Sequence, residues 1–388
     1  MIDLSVLRRR LHQIPELGLD LPRTQELLLD QLRALPVDVS CGKRCSSLAV
    51  TIQGAAPGPT VLLRADMDAL PITEDTGLPF ASTNGNMHAC GHDLHMVGLL
   101  GAIEELCARR HQFDGTVLAI FQPGEEGAHG AEVMIEEGVL LTTGQLPLAS
   151  FGVHVLSFAE TGQFACREGT VMAATCNFDV TIHGRGGHAA RPHRALDPIS
   201  VAALTIQGIQ SLVAQRSSPA DPIIVTVGAL HAGTASNVIP DTALLRISLR
   251  AATEAKALQT YQAVVGVASG IAQAYGLRAE PEIGPTFGPT ISDHAGSALV
   301  RQTVGDLFGA ETFKEMLVPE MISEDFSKFL EITGGAFALV GAAVGPDIDN
   351  LATNHSSRAQ FEESVIPKIS RFLSEVAVRQ LHQARDGG

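Results

Sequence analysis

The sequence has no tryptophan, only 2 tyrosines and no surplus of positive charge: Lys and Arg total 27 against 42 Asp and Glu, a formal net charge of −15. Nucleic acids and anionic membrane surfaces both require a basic face, so neither partner is expected. A local basic pocket for a small acidic substrate is still compatible with this balance. With so few large aromatics there is no stacking platform for bases or sugars. No apolar run approaches the roughly 18 residues that cross a bilayer, so no membrane span is expected. Cysteines are few and scattered, at positions 41, 45, 90, 107, 166 and 176. The opening Met1-Ile2-Asp3-Leu4-Ser5 lacks a charged segment leading into an apolar one, as a secretory leader would have. Reduced, mostly buried thiols in a cytoplasmic protein are therefore expected. Cys41 and Cys45 lack the second pair that a four-thiol zinc site needs, and read as structural.

What is present is a chain of 388 residues, 45% hydrophobic and with 38 glycines, long enough for two domains. Leu4 to Ile14 reads as an amphipathic helix with Arg8, Arg9 and Arg10 outward. Thr24 reads as the N-cap of a helix over Gln25 to Leu35. Ser47–Gln53 and Thr60–Arg64 are strand-like, the second running into Ala65-Asp66-Met67-Asp68-Ala69-Leu70-Pro71. Helix-like Val97–Leu106, strand Gly115–Phe121, helix Ala131–Glu137 and strand Ala149–Val155 follow. This alternation predicts an α/β fold with a mostly parallel, helix-covered sheet. Near Cys176 the order becomes strand, helix, strand, strand, helix, strand. That is the split βαβ order of a ferredoxin-like α+β sandwich. From about Pro285 the first style returns, through helices Asp293–Leu307 and Glu324–Leu330, strand Phe337–Val340 and a closing helix Glu362–Gln383. The expected organisation is a larger domain of 1–175 and 285–388 with 176–284 inserted.

Potential chemistry gathers at strand ends in the larger part. Cys90 and His92 stand two apart in Met87-His88-Ala89-Cys90-Gly91-His92-Asp93. In a turn that spacing aims both side chains at one point, whereas on a helix they diverge. Thiolate and imidazole suit zinc and its neighbours. Cys90, His92, Glu126, His154 and His355 are too many for one tetrahedral ion and fit two ions sharing a ligand better. Of the neighbours Glu125 and Glu126, one can face the ions while the other serves as a general base. His12, His111, His129, His294 and His382 read as ordinary core or surface histidines.

Taken together, Met87-His88-Ala89-Cys90-Gly91-His92-Asp93, Ala65-Asp66-Met67-Asp68-Ala69-Leu70-Pro71, Pro123-Gly124-Glu125-Glu126-Gly127 and Gly186-Gly187-His188-Ala189-Ala190 resemble the aminoacylase/amidohydrolase branch of the two-metal exopeptidases. That branch includes hippurate hydrolases and hydrolases of indoleacetyl-amino-acid conjugates. Further similarities are Leu11-His12-Gln13-Ile14-Pro15-Glu16-Leu17-Gly18, Gly233-Thr234-Ala235-Ser236-Asn237-Val238-Ile239-Pro240 and Ser323-Glu324-Asp325-Phe326. They span nearly the whole chain in order.

The resemblance implies a metal-dependent hydrolase that cleaves the amide of N-acetyl, N-benzoyl or similar N-acyl amino acids with a metal-activated water. Cys90 would bridge two divalent ions, zinc or manganese with cobalt or nickel as further choices. His92 and His154 would complete one shell, Glu126 and His355 the other. Glu125 would be general base and acid, and Asp68 would orient His92. The inserted domain would be a lid and the means of forming a homodimer. In it His188 would polarise the scissile carbonyl, in its own or the partner's site, and Asn237 and Arg250 would hold the substrate carboxylate.

Two departures concern the substrate. Ile322 stands where glycine is common, and Thr353-Asn354-His355-Ser356-Ser357 replaces the commoner leucine-histidine-x-proline. Arg191 and His193 would add positive charge near the pocket. A dipeptidase or carboxypeptidase of the same fold is the nearest alternative, although those branches generally bridge their metals with Asp. A non-catalytic metal-binding relative would be expected to lack Glu125. A redox sensor working through Cys90 needs a resolving cysteine, and Cys107 is poorly placed for that.

Overall fold

The computed structural model describes residues 2–218 and 221–386. Its contacts divide the chain into a larger unit, Met1–Val171 with Ile291–Leu317 and Asp325–Gly388, and a smaller one, Met172–Thr290 with Val318–Glu324. The larger unit begins with helices α1 (Leu4–His12) and α2 (Pro22–Leu32), followed by strands β1 (Asp38–Cys41), β2 (Leu48–Gln53) and β3 (Thr60–Asp66). Helix α3 (His92–Arg109), β4 (Thr116–Gln122), α4 (Gly130–Glu136), β5 (Ala149–Leu156) and β6 (Phe164–Cys166) come next. Strands Phe313–Glu315 and Gly335–Gly341 complete an eight-stranded sheet in the order β1, β2, β4, β3, β5, Gly335–Gly341, β6, Phe313–Glu315. Its centre, β4 to Gly335–Gly341, is parallel, while β1 and β2 add antiparallel pairings at one edge. Every residue of β3, β4 and β5 is buried. This is why these strands are continuous apolar runs rather than alternating ones.

The smaller unit is an antiparallel sheet in the order Ile223–Ala232, Thr242–Ala251, Ala174–His183, Arg278–Phe287. Alternate residues of Ala174–His183 are buried. Together with Val201 and Ile209 of the helix Pro198–Arg216, and Val264 and Ala268 of the helix Glu254–Ala274, they make one core. The α/β class and the ferredoxin-like order are as expected. The segment Val318–Glu324, distant in sequence, also belongs to this unit. The short strands β1, β6 and Phe313–Glu315 had no sequence expectation, being three or four residues long.

Three local expectations are corrected. Helix α2 starts at Pro22, so Thr24 is not its cap. Proline's fixed φ favours the first helical position, and Thr24 instead gives its N–H and hydroxyl to Glu16, at 2.8 and 2.9 Å. Helix α3 starts at His92, five residues earlier than its apolar pattern suggests. Arg8 does not face outward. It is buried, 2.7 Å from Asp93 in the first turn of α3 and 3.3 Å from Glu363. A buried carboxylate requires a partner of opposite charge, and α1 supplies it.

His12 completes this cluster, with Nδ1 2.8 Å from Asp93 and Nε2 3.2 Å from Glu74. Burial alone would lower its pKa, but the Asp93 charge and the hydrogen bonds to Asp93 and Glu74 prevail and raise it from 6.5 to about 9. Folded His12 thus holds its proton more tightly than unfolded His12. Its contribution, on the order of 3 kcal/mol, is full below about pH 6.5 and is lost as pH rises through about 9. Urea unfolding of the wild type and His12→Asn from pH 6 to 10 should show a stability difference that shrinks across this window. A difference independent of pH would mean that His12 stays neutral.

Candidate metal centre

Gly91 decides how Cys90 and His92 meet. It has φ +86°, and a Cβ there would lie 2.4 Å from the Val155 side chain. Only glycine takes this backbone without cost. The left-handed turn leaves Cys90 in the loop and makes His92 the first helical residue, so both side chains point at one place. Helix α3 is held firmly behind them. A Cβ on Gly98 or Gly101 would meet Ile369 at 2.5 Å or Ser370 at 2.2 Å, so these glycines let the helix Ile366–Asp386 pack close against α3.

The donor atoms of Cys90, His92 and His154 lie within 4.8 Å of one another, as do those of Cys90, Glu126 and His355. Cys90 is common to both groups. Its Sγ is 3.3 Å from His154 Nε2 and 3.2 Å from His355 Nε2, which is also 3.2 Å from Glu126 Oε1. All five sequence-selected donors are thus together, and Glu125 is close enough to group with His92 and Glu126. His154 lies within β5, near its C-terminal end. His355 sits in a loop at φ +67°, an uncommon conformation for a residue with a Cβ, and its N–H donates to Ala89 O at 2.9 Å.

Burial raises the Cys90 thiol pKa, with Glu126 adding to the rise. Burial also pushes His154 well below its ordinary value, toward the neutral imidazole that binds metals. Hydrogen bonds to Cys90 and Glu126 raise His355 to about 10. Glu126 resists the upward push of burial and is lowered by His355 and His92. His92 Nδ1 is satisfied by Asp68 O at 2.8 Å, but its fully buried Nε2 has no hydrogen-bond partner. An orphaned imidazole nitrogen aimed into a cluster of thiol, imidazole and carboxylate donors fits a bound divalent cation, which would satisfy it. Sulfur, nitrogen and oxygen together suit borderline first-row ions.

Asp68 reaches His92 through its main-chain carbonyl. Its carboxylate, 3.7 Å from the same His92 Nδ1, also accepts the N–H groups of Glu125 and Glu126, both at 3.0 Å. Two groups near the donors carried no role in the sequence reading. His95 lies one turn along α3, its Nδ1 2.6 Å from Asp66, and its Nε2 accepts the Val155 N–H at 2.9 Å. The i, i+3 spacing from His92 was the available signal. Asn354 bonds to Cys90, Val155 and Ser157.

Within the smaller unit, His188 is exposed on the short strand Gly187–His188, paired with Val238–Ile239. Asn237 O accepts the Ala189 N–H at 3.0 Å, so the two candidates share this ribbon. Arg250 lies elsewhere, in the four-stranded sheet. It donates to Thr175 Oγ1 at 3.0 Å and Ser323 Oγ at 3.3 Å and, among the described residues, makes no ion pair.

A mostly parallel sheet carrying convergent thiol, imidazole and carboxylate donors at its strand ends defines a metal-dependent hydrolase. Peptidase family M20/M25/M40 matches residues 62–379, and the chain belongs to that family. It is 36% identical over 383 residues to an N-acetyldiaminopimelate deacetylase of Streptococcus gordonii, covering 96% of this chain and 98% of that one. It is equally 36% identical over 384 residues to the IAA-amino acid hydrolase ILR1-like 5 of Arabidopsis thaliana, covering 97% and 86%. The Bacillus subtilis YXEP protein, a dinuclear metal binding peptidase from the M20 family, superposes with a TM-score of 0.82 at 30% identity, over 98% of each chain.

Asp68→Ala should lower the unfolding free energy by about 1–3 kcal/mol, since two N–H groups lose their acceptor. Asp68→Asn, which keeps one oxygen, should fall between. Unchanged urea midpoints would show that other acceptors replace the carboxylate.

Proposed function

We propose that the chain hydrolyses N-acyl amino acids, releasing a carboxylic acid and the free amino acid. The observation that carries this is the shared position of Cys90 between two donor groups, with Glu125 beside them. The full-length similarity to a deacetylase and an amino acid conjugate hydrolase supports the substrate class.

Cys90, His92 and His154 would hold one divalent ion, and Cys90, Glu126 and His355 the other, zinc or manganese by the chemistry of the donors. When bound, the ions supply Lewis acidity toward the amide carbonyl and acidify water. Glu125 takes the proton from the attacking water and delivers it to the leaving amine. Asp68 holds the backbone of Glu125 and Glu126, so both carboxylates keep their places during the transfer. His188 adds a hydrogen bond to the carbonyl oxygen as charge develops there. Arg250 and Asn237 hold the carboxylate of the amino acid. Burial lowers the Arg250 pKa, and a half-buried guanidinium with only hydroxyl partners among the described residues supports this role, since a substrate carboxylate would supply the missing charge.

We further place the enzyme in the cytoplasm as a homodimer formed through its smaller unit. No described helix is long and apolar enough to cross a membrane.

Chelation should abolish release of amino acid from a panel of N-acetyl, N-benzoyl and dipeptide substrates, and added zinc or manganese should restore it. Best turnover on an N-acyl amino acid supports the proposal, whereas preference for a dipeptide overturns it in favour of peptidase activity. Glu125→Gln should reduce turnover about 10²–10⁴-fold with metal content unchanged. Near-normal turnover by this variant would remove Glu125 from the chemistry.

A further inference from the structure

Asn354 is half-buried beside the donor cluster, and its partners leave no choice about which way its amide points. The main-chain N–H of Ser157 donates to Oδ1 at 2.9 Å, and the Ser157 hydroxyl lies 3.0 Å from the same oxygen. Two carbonyls face the other end: Nδ2 donates to Cys90 O at 3.2 Å and to Val155 O at 3.0 Å. Both amide protons are thereby used, and Cys90 Sγ lies 3.9 Å from the same nitrogen. The Val155 carbonyl has a second donor, His154 Nδ1 at 2.9 Å.

One amide therefore ties the loop carrying Cys90 to the end of β5 carrying His154. We propose that Asn354 is a positioning residue that holds Cys90 and His154 at ligating distance from each other. It also fixes the orientation of His154 by sharing the carbonyl that accepts from the imidazole. With Nδ1 committed to that carbonyl, the ring presents Nε2 to Cys90 Sγ at 3.3 Å. The next residue, His355, belongs to the second donor group, and its own N–H is anchored to Ala89 O. The dipeptide Asn354-His355 thus braces the shared thiol from both sides.

This inference rests on the two-metal reading, and cobalt(II) titration of the chelated protein separates the two. Cobalt is followed by its thiolate charge-transfer absorption and by competition with a chelator. Wild-type protein should take up two ions with that band. Failure to do so would overturn the two-metal reading itself. Asn354→Leu keeps the branched side-chain shape and removes every hydrogen bond. It should bind cobalt about 10–100-fold more weakly, as loss of a group orienting a ligand usually does, with a shifted band. Asn354→Asp keeps the acceptor for Ser157 but lacks both donors, so it should show the same shift even if Asn354→Leu does not fold. A merely structural role predicts a lower melting temperature of the metal-free variants with wild-type cobalt affinity and an unmoved band. That result would overturn the assignment to Asn354 and leave the two-metal reading standing.

Discussion

Burying an ionisable side chain costs far more than burying an apolar one unless a partner meets every charge and polar atom. This constraint organises the larger unit. Asp66, at the end of β3, is fully buried and contacts His95 at 2.6 Å and Arg64 at 2.7 Å. Burial opposes its ionisation, yet His92, His95 and Arg64 hold it well below the usual carboxylate range. Arg64 in turn reaches Asp325, which also accepts from Gln122 and from the Ala131 N–H. The chain of partners runs from the donor cluster through β3 and β4 to the first turn of α4. Removing one member would leave a buried charge unpaired, which is much worse than never having buried it.

The orphaned nitrogen of His92 is where this arrangement opens onto the donor cluster. Several groups around it are satisfied: Nδ1 by Asp68 O, the Glu125 and Glu126 amides by the Asp68 carboxylate, and the Val155 N–H by His95. A fully buried imidazole nitrogen without a hydrogen-bond partner, set among thiol, imidazole and carboxylate donors, fits a bound cation. The packing behind it serves the same end. Helix α3 is buried on almost every side of its first three turns, so His92 and His95 are carried by a rigid element.

Much of this was legible in the sequence because it depends on patterns that survive in one dimension. Continuous apolar strands announce a buried parallel sheet, and Cys90-Gly91-His92 encodes its own turn. Arg8 was misread because a helix face seen alone cannot show that a buried Asp93 waits opposite. His95 and Asn354 were passed over for a related reason. Asn354 acts through hydrogen bonds to main-chain atoms, which no residue pattern marks, whereas His95 also meets the Asp66 carboxylate and is marked only by its i, i+3 spacing from His92. Val318–Glu324 is illegible for a topological reason: its membership in the smaller unit depends on contacts with chain segments far away in sequence.

The division of labour between Glu125 and Glu126 follows from the same electrostatics. Asp68 grips the N–H groups of both, which fixes the backbone of the turn that carries them. Glu126 lies 3.2 Å from His355 and 4.0 Å from His92, and these imidazoles lower its pKa despite burial. A carboxylate committed to its anionic form accepts a proton poorly and serves best as a fixed ligand. Glu125 is the neighbouring carboxylate within reach of the donors, which supports its proposed role as the base. The proposed base is thus identified less by its own properties than by what Glu126 has already been assigned to do.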